Sequence, residues 1–185
     1  MRIIIDTSSL LALVRYYRPF DKDNSLKYFF KDRIDSGDIL ILDKVAEESK
    51  YISKGLIIKD LDFLQDKKRY FKTDELLPTK KFFNILDNQL CQTPMKNRLS
   101  QTEYEQQRNE YLDSADAKLI LFCYNESNPL GIDNPLIVTE ETGAENDNKI
   151  FKKLPTICSI LNIEQCSLPT LIKDHFKIKL SQYLE

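Results

Sequence analysis

The chain reads as an α/β domain on a parallel sheet with a mostly helical insertion, and three observations predict this. Short aliphatic runs, Ile3–Ile5, Ile39–Leu42 and residues 136–139, are unbroken by polar residues, as strands buried on both faces require. Segments with helical apolar spacing follow the first two runs and precede the third, and such alternation builds parallel sheets with helices against them. The rhythm lapses between about residues 55 and 107, which are rich in Lys, Asp and aromatics.

Each element has its own signals. Asp6 ends the first run, and Thr7, Ser8 and Ser9 can cap a helix over 10–17 that Pro19 interrupts. A polar helical stretch over 25–34 leads to the turn residues Ser36, Gly37 and Asp38, the second strand, and a helix from Asp43 to about residue 54. The insertion is punctuated by Pro78 and Pro94 and carries no strong strand signal. A helix over 111–124, a loop rich in Asn, Pro and Gly, and the third strand follow. Glu140 and Glu141 come next. A short helix over 155–161, a strand over 163–167 and a final helix from Pro169 complete the pattern.

With 185 residues, 27 basic against 29 acidic and 42% hydrophobic, the composition is that of a globular protein large enough for a real core. A single domain over 1–185 is expected. No apolar run approaches a membrane span and the N-terminus lacks a secretory pattern, so a soluble, cytoplasmic protein is expected. Cys91, Cys123, Cys158 and Cys166 form no CxxC pair, and with one His in the chain a zinc site is not expected. Reduced, buried thiols fit better. The four glycines form no phosphate-cradling loop, and His175 sits in a charged stretch as a solvated side chain would.

In open parallel sheets ligands bind where strands end and loops begin, and Asp6 and the Glu140, Glu141 pair stand at such ends. Helix phase adds two more acids. Leu112, Ala115, Leu119, Ile120, Phe122 and Cys123 define an apolar stripe that contains Asp116, with Asp113 at its edge, placed either to join a site or to cap the helix. Asp116 taken alone could equally be a carboxylate paired with an arginine or a backbone amide. In the preceding unit, Glu48 falls between Ile52 and Tyr51 on the buried side, whereas Glu47 points about 160° away from Val45. Asp6, Glu48, Asp116 and one of the final pair, without basic partners, would repel one another unless a cation neutralised them. A hard divalent ion, Mg2+ or Mn2+, prefers carboxylates and water and can activate water against a phosphate.

The order Asp6-Thr7-Ser8, Glu48, Asp116-Ala117-Lys118-Leu119-Ile120 and Val138-Thr139-Glu140-Glu141 resembles the four acidic landmarks of PIN domains. The tail from Leu154-Pro155-Thr156-Ile157-Cys158 to Ile163 is similar to a PIN-like branch carrying a TEE-type motif and a PxxC segment. The resemblance spans roughly the first 55 and last 75 residues. It implies a three-layer PIN-like fold and a metal-dependent endoribonuclease, in many bacterial and archaeal relatives the VapC-like toxin of a toxin-antitoxin pair, with an antitoxin protein as partner and a homodimer possible. By the same resemblance Asp6, Glu48, Asp116 and Glu141 would be the catalytic, metal-binding positions, and Ser8 a helper at the substrate. Glu141 stands where many PIN domains have Asp, and the stretch between Glu48 and Asp113 exceeds that of compact toxins.

The insertion adds a weaker indication of RNA. From Lys50 to Arg108 there are 12 basic and 8 acidic residues, leaving 15 basic and 21 acidic elsewhere. Lys67, Lys68 and Arg69 beside Tyr70 and Phe71, and Lys80 and Lys81 beside Phe82 and Phe83, set cations next to aromatics, which grips phosphates and stacks bases. Two amphipathic helices with solvated lysines and buried aromatics give the same pattern. An inactive PIN-like module binding RNA or protein is the alternative function. A haloacid dehalogenase-type phosphatase expects a second Asp where Ser8 stands, and a receiver domain expects an acidic pair near its N-terminus.

Overall fold

A computed structural model describes residues 2–128, 131, 133–143 and 149–184. Five parallel strands form one sheet in the order β3-β2-β1-β4-β5: β1 (Ile3–Ile5), β2 (Ile39–Leu42), β3 (Tyr70–Phe71), β4 (Leu136–Val138) and β5 (Glu164–Cys166). Every residue of β1 and β4 is buried, as uninterrupted Ile, Leu and Val runs in a covered sheet must be. Helices flank the sheet, giving a three-layer α/β fold. Chain order reverses between β1 and β4, so their carboxyl ends open the crevice where such sheets bind ligands.

The first unit runs from β1 into α1 (Thr7–Ala12), a wider turn over Leu13–Tyr17, and α2 (Ser25–Asp35), before β2 and α3 (Asp43–Ser49). The expected helix from Asp43 stops at Ser49. Ser53, Lys54 and Gly55 all take left-handed backbone angles, and a Cβ on Gly55 would lie 2.9 Å from the Lys50 carbonyl oxygen. The chain turns there into α4 (Leu56–Asp60).

The insertion departs from expectation in one respect: it supplies β3, the sheet's edge, paired Ile41 to Tyr70 and Leu42 to Phe71. Two residues between charged flanks carry no periodicity, so the strand had no sequence signature. The rest is helical: α5 (Lys80–Ile85), α6 (Thr93–Lys96) and α7 (Gln101–Leu112). Two polar contacts fix it to the helices around the sheet. Asp43 accepts from the Thr73 amide at 3.1 Å and the Thr73 hydroxyl at 2.6 Å, and the buried Lys118 ammonium donates to the Thr73 and Leu76 carbonyls at 3.3 and 3.2 Å. The predicted helix over 111–124 is two helices. Ser114, extended at ψ 160°, caps α8 (Ala115–Glu126) by accepting from the Ala117 amide, and so ends α7 at Leu112.

After β4 the chain forms α9 (Leu154–Leu161), β5 and α10 (Leu168–Thr170), with a wider turn over Leu171–His175. His175 is exposed, and all four cysteines are free, three of them buried. Among the described residues no helix is long and apolar enough to cross a membrane.

Candidate functional site

Asp6 leaves β1 with extended backbone and caps α1, its Oδ1 accepting from the Thr7 amide at 2.6 Å. Its Oδ2 accepts from the Ser8 hydroxyl at 2.6 Å and the Thr139 hydroxyl at 3.0 Å, which lashes the end of β1 to the end of β4. The hydroxyls accept in turn from the loop amides: Glu140 donates to Ser8 at 3.0 Å and Glu141 to Thr139 at 3.1 Å. Ser8 therefore holds Asp6 and the Glu140 amide in place. The two residues after Thr139 part company. Glu140 accepts from the Leu168 amide at 2.6 Å, at the start of α10, while Glu141 lines a cleft with Asp116 and Glu48.

Glu48 and Glu47 face different surfaces of α3. Glu48 Oε2 accepts from the Thr7 hydroxyl at 2.6 Å and lines the acidic cleft. Glu47 lies 3.7 Å from Lys44 and lines a shallow groove along the sheet edge with Asp43, Lys50, Lys67, Lys72 and Asp74. Asp116 sits in the first turn of α8, where the helix dipole favours a carboxylate. Asp113 takes neither role open to it inside the site: its carboxylate is 70% exposed and pairs with Lys44 at 2.9 Å.

The electrostatics show that the acids share one field. Burial pushes Asp116 up to about 7, and the charges of Asp6, Glu141 and Glu48 push the same way. Glu141 is also raised, first by burial and then by Asp6. Lys149 opposes both shifts and Lys153 the second. Among the described residues no three His, Cys, Asp or Glu side chains converge as a ready cation cage. The donor chemistry fits a hard divalent ion nonetheless: every side chain in the cluster is a carboxylate, and Asp116 is held against an electrostatic cost that a cation would remove.

The cleft has a volume of 770 Å³. Its lining carries the acids Glu48, Glu110, Asp116 and Glu141, the cations Arg98, Lys149, Lys152 and Lys153, and Tyr111, Ser114 and Ala115. The insertion shapes this site. Gln92 donates to the Ile150 carbonyl at 2.7 Å and Lys152 to that of Leu90 at 2.9 Å, pinning the segment around Phe151 beside α6 and α7. Tyr111 stacks on Phe151 with centroids 4.2 Å apart and planes 17° apart.

The basic residues expected to hold substrate lie elsewhere. Arg69 is engaged by Asp35 at 2.6 Å and Asp66 at 2.9 Å on the outer edge of the sheet. Lys67 opens onto the edge groove, and Lys68 is exposed beside it. Lys80 and Lys81 start α5, and Lys81 lines a second depression with Asn125 and Asn134, near the amino ends of β4 and β5. None of these five lines the acidic cleft. Cation-aromatic adjacency in sequence cannot distinguish the two ends of a sheet. The cleft's own cations had a usable signal, the Lys149-Ile-Phe-Lys-Lys153 run shortly after Glu141, whereas Arg98 and Tyr111 had none.

The sequence profile of a family described as a domain of unknown function, DUF4411, matches residues 3–176. The chain belongs to this family. The match spans the sheet, the insertion and the whole cleft, so in DUF4411 terms the insertion is part of the domain. No curated protein and no solved structure matches the chain.

Proposed function

We propose that this DUF4411 domain is a Mg2+- or Mn2+-dependent endoribonuclease of PIN-like type that hydrolyses RNA phosphodiester bonds with water as nucleophile. The observation that carries the reading is the gathering of Asp6, Glu48, Asp116 and Glu141 at the carboxyl edge of the sheet, where burial and then the charge of the other three lift Asp116 to about 7, beside a cleft that also holds Arg98, Lys149, Lys152 and Lys153. Bound there, the divalent ion would supply Lewis acidity and a water of lowered pKa. The protein's own groups do the remainder. Thr7, Ser8 and Thr139 fix the carboxylates of Asp6 and Glu48, while Arg98, Lys149, Lys152 and Lys153 attract and align a polyanion.

An RNA-binding module without cleavage is the second reading, favoured by the lack of a preformed cage among the described residues. A toxin role with an antitoxin partner rests on the PIN resemblance alone. A labelled single-stranded RNA incubated with purified protein and Mn2+ or Mg2+, with and without EDTA, separates the two chemistries. Cleavage that EDTA abolishes is expected. Binding without cleavage in either metal would select the module, and metal titration by calorimetry would locate the failure.

A further inference from the structure

Tyr111 carries a feature that packing does not explain. Its hydroxyl oxygen is buried and has no hydrogen-bond partner, although the side chain lines the cleft beside Asp116. Buried polar atoms are nearly always paired, and an orphaned donor costs stability without return unless something else satisfies it. Phe151 stacks on the ring, and α7 ends one residue later. Burial first, then the charges of Asp116, Cys158 and Glu141, hold the phenol far above its usual range, so it keeps its proton and has a hydrogen to donate. A donor that stays neutral beside carboxylates suits an anionic oxygen brought by a ligand. Lys149, whose charge acts on Asp116 and Glu141, and Lys153, whose charge acts on Glu141, make a phosphate tolerable there.

We propose that the Tyr111 hydroxyl donates a hydrogen bond to a non-bridging oxygen of the phosphate at the scissile position, with Lys149 and Lys153 offsetting that phosphate's charge. The proposal rests on the nuclease reading for the word scissile, and on the cleft alone for the contact. Tyr111 keeps its proton throughout. The hydroxyl orients the phosphate against the acids, and it is a specificity device as well, because a ligand without an acceptor oxygen at that place leaves the donor orphaned.

The test is Tyr111→Phe in the full chain, with Lys149→Gln as a second variant. Three readouts are taken: thermal stability, anisotropy with a labelled single-stranded RNA in EDTA, where metal-dependent hydrolysis cannot cut it, and single-turnover cleavage of the same RNA with Mg2+ or Mn2+. Tyr111→Phe should melt at or above the wild-type temperature, bind roughly 10-fold more weakly and cleave about 100-fold more slowly. A hydroxyl satisfied only by a structural water would lower the melting temperature on removal and leave binding and cleavage unchanged, which overturns the proposal. Wild type that binds without cutting, with Tyr111→Phe binding more weakly, retains the phosphate contact and removes the nuclease reading. Wild type that neither binds nor cuts removes both.

Discussion

Two regions of the molecule handle charge in opposite ways. Around the outer edge and the insertion, carboxylates are matched to cations: Arg69 spans Asp35 and Asp66, Arg33 meets Asp38 at 2.8 Å, and Asp87 takes both Arg108 at 3.0 Å and the Tyr104 hydroxyl at 2.6 Å. Asp35 and Asp38 are lowered by the guanidiniums beside them. At the carboxyl ends of β1 and β4 the sign reverses. Asp116 and Glu141 are raised, hydroxyls and amides rather than guanidiniums hold Asp6, and the charges of Lys149 and Lys153 offset the rise only in part. Satisfied charge marks where the chain is only folding; unsatisfied charge marks where it keeps electrostatic free energy for a ligand.

The largest expected effect comes from removing one charge of that field. Asp116→Asn should lower metal-dependent cleavage at least roughly 100-fold, and its stability should move the other way. The folded Asp116 takes up its proton near pH 7 and the unfolded one near 3.8, so the ionised side chain destabilises the fold progressively as pH rises through that window. In EDTA at pH 8 the variant should be more stable than wild type by on the order of 2–4 kcal/mol, with little difference at pH 4. Melting curves at the two pH values decide the sign; a less stable variant at pH 8 would end the comparison drawn above. Asp6→Asn belongs in a different class. An amide offers one acceptor oxygen where Asp6 uses two, so about 1–2 kcal/mol of capping should go with the activity.

A smaller effect sharpens the boundary between the regions. Glu48→Gln should cut cleavage roughly 10- to 100-fold, while Glu47→Gln, facing the edge groove, should retain wild-type rate. Side-by-side rate constants for the two neutral variants are enough, and loss of rate in Glu47→Gln would move the site to the other face of α3.

The smallest effect compares cations. Replacing Lys149 and Lys153 with Ser should weaken single-stranded RNA binding and reduce its salt slope by about 1.4, near 0.7 per phosphate contact. Replacing Lys67, Lys68, Lys80 and Lys81 together should leave the slope within error, since none of them lines the cleft. Anisotropy across several salt concentrations reads both, and a flattened slope in the second protein would return the edge lysines to the substrate path.

The strands β1, β2 and β4 were legible because a fully covered sheet demands uninterrupted aliphatic residues. The acids were legible because helix phase and strand ends project them to one edge. β3 was not, since two residues cannot show a period and its pairing is set by Ile41 and Leu42 far away in sequence. The break between α7 and α8 was visible only as a serine, and the helical periodicity on either side concealed it. The place of the basic segments was not legible for a related reason: the pattern beside an aromatic is the same whether a lysine faces a cleft, an edge or solvent.

The attachment of the insertion bears on how this domain can vary in length. Lys118 is buried and gives its ammonium to carbonyls of Thr73 and Leu76, and Asp43 spends both oxygens on Thr73. A descendant that trimmed this region to a compact loop would leave the buried Lys118 ammonium on α8 without its two acceptor carbonyls, at about 1–3 kcal/mol or more for an unsatisfied buried donor, whereas the half-buried Asp43 would keep the Lys44 amide. Shortening is therefore a coupled event in which Lys118 changes together with the loop.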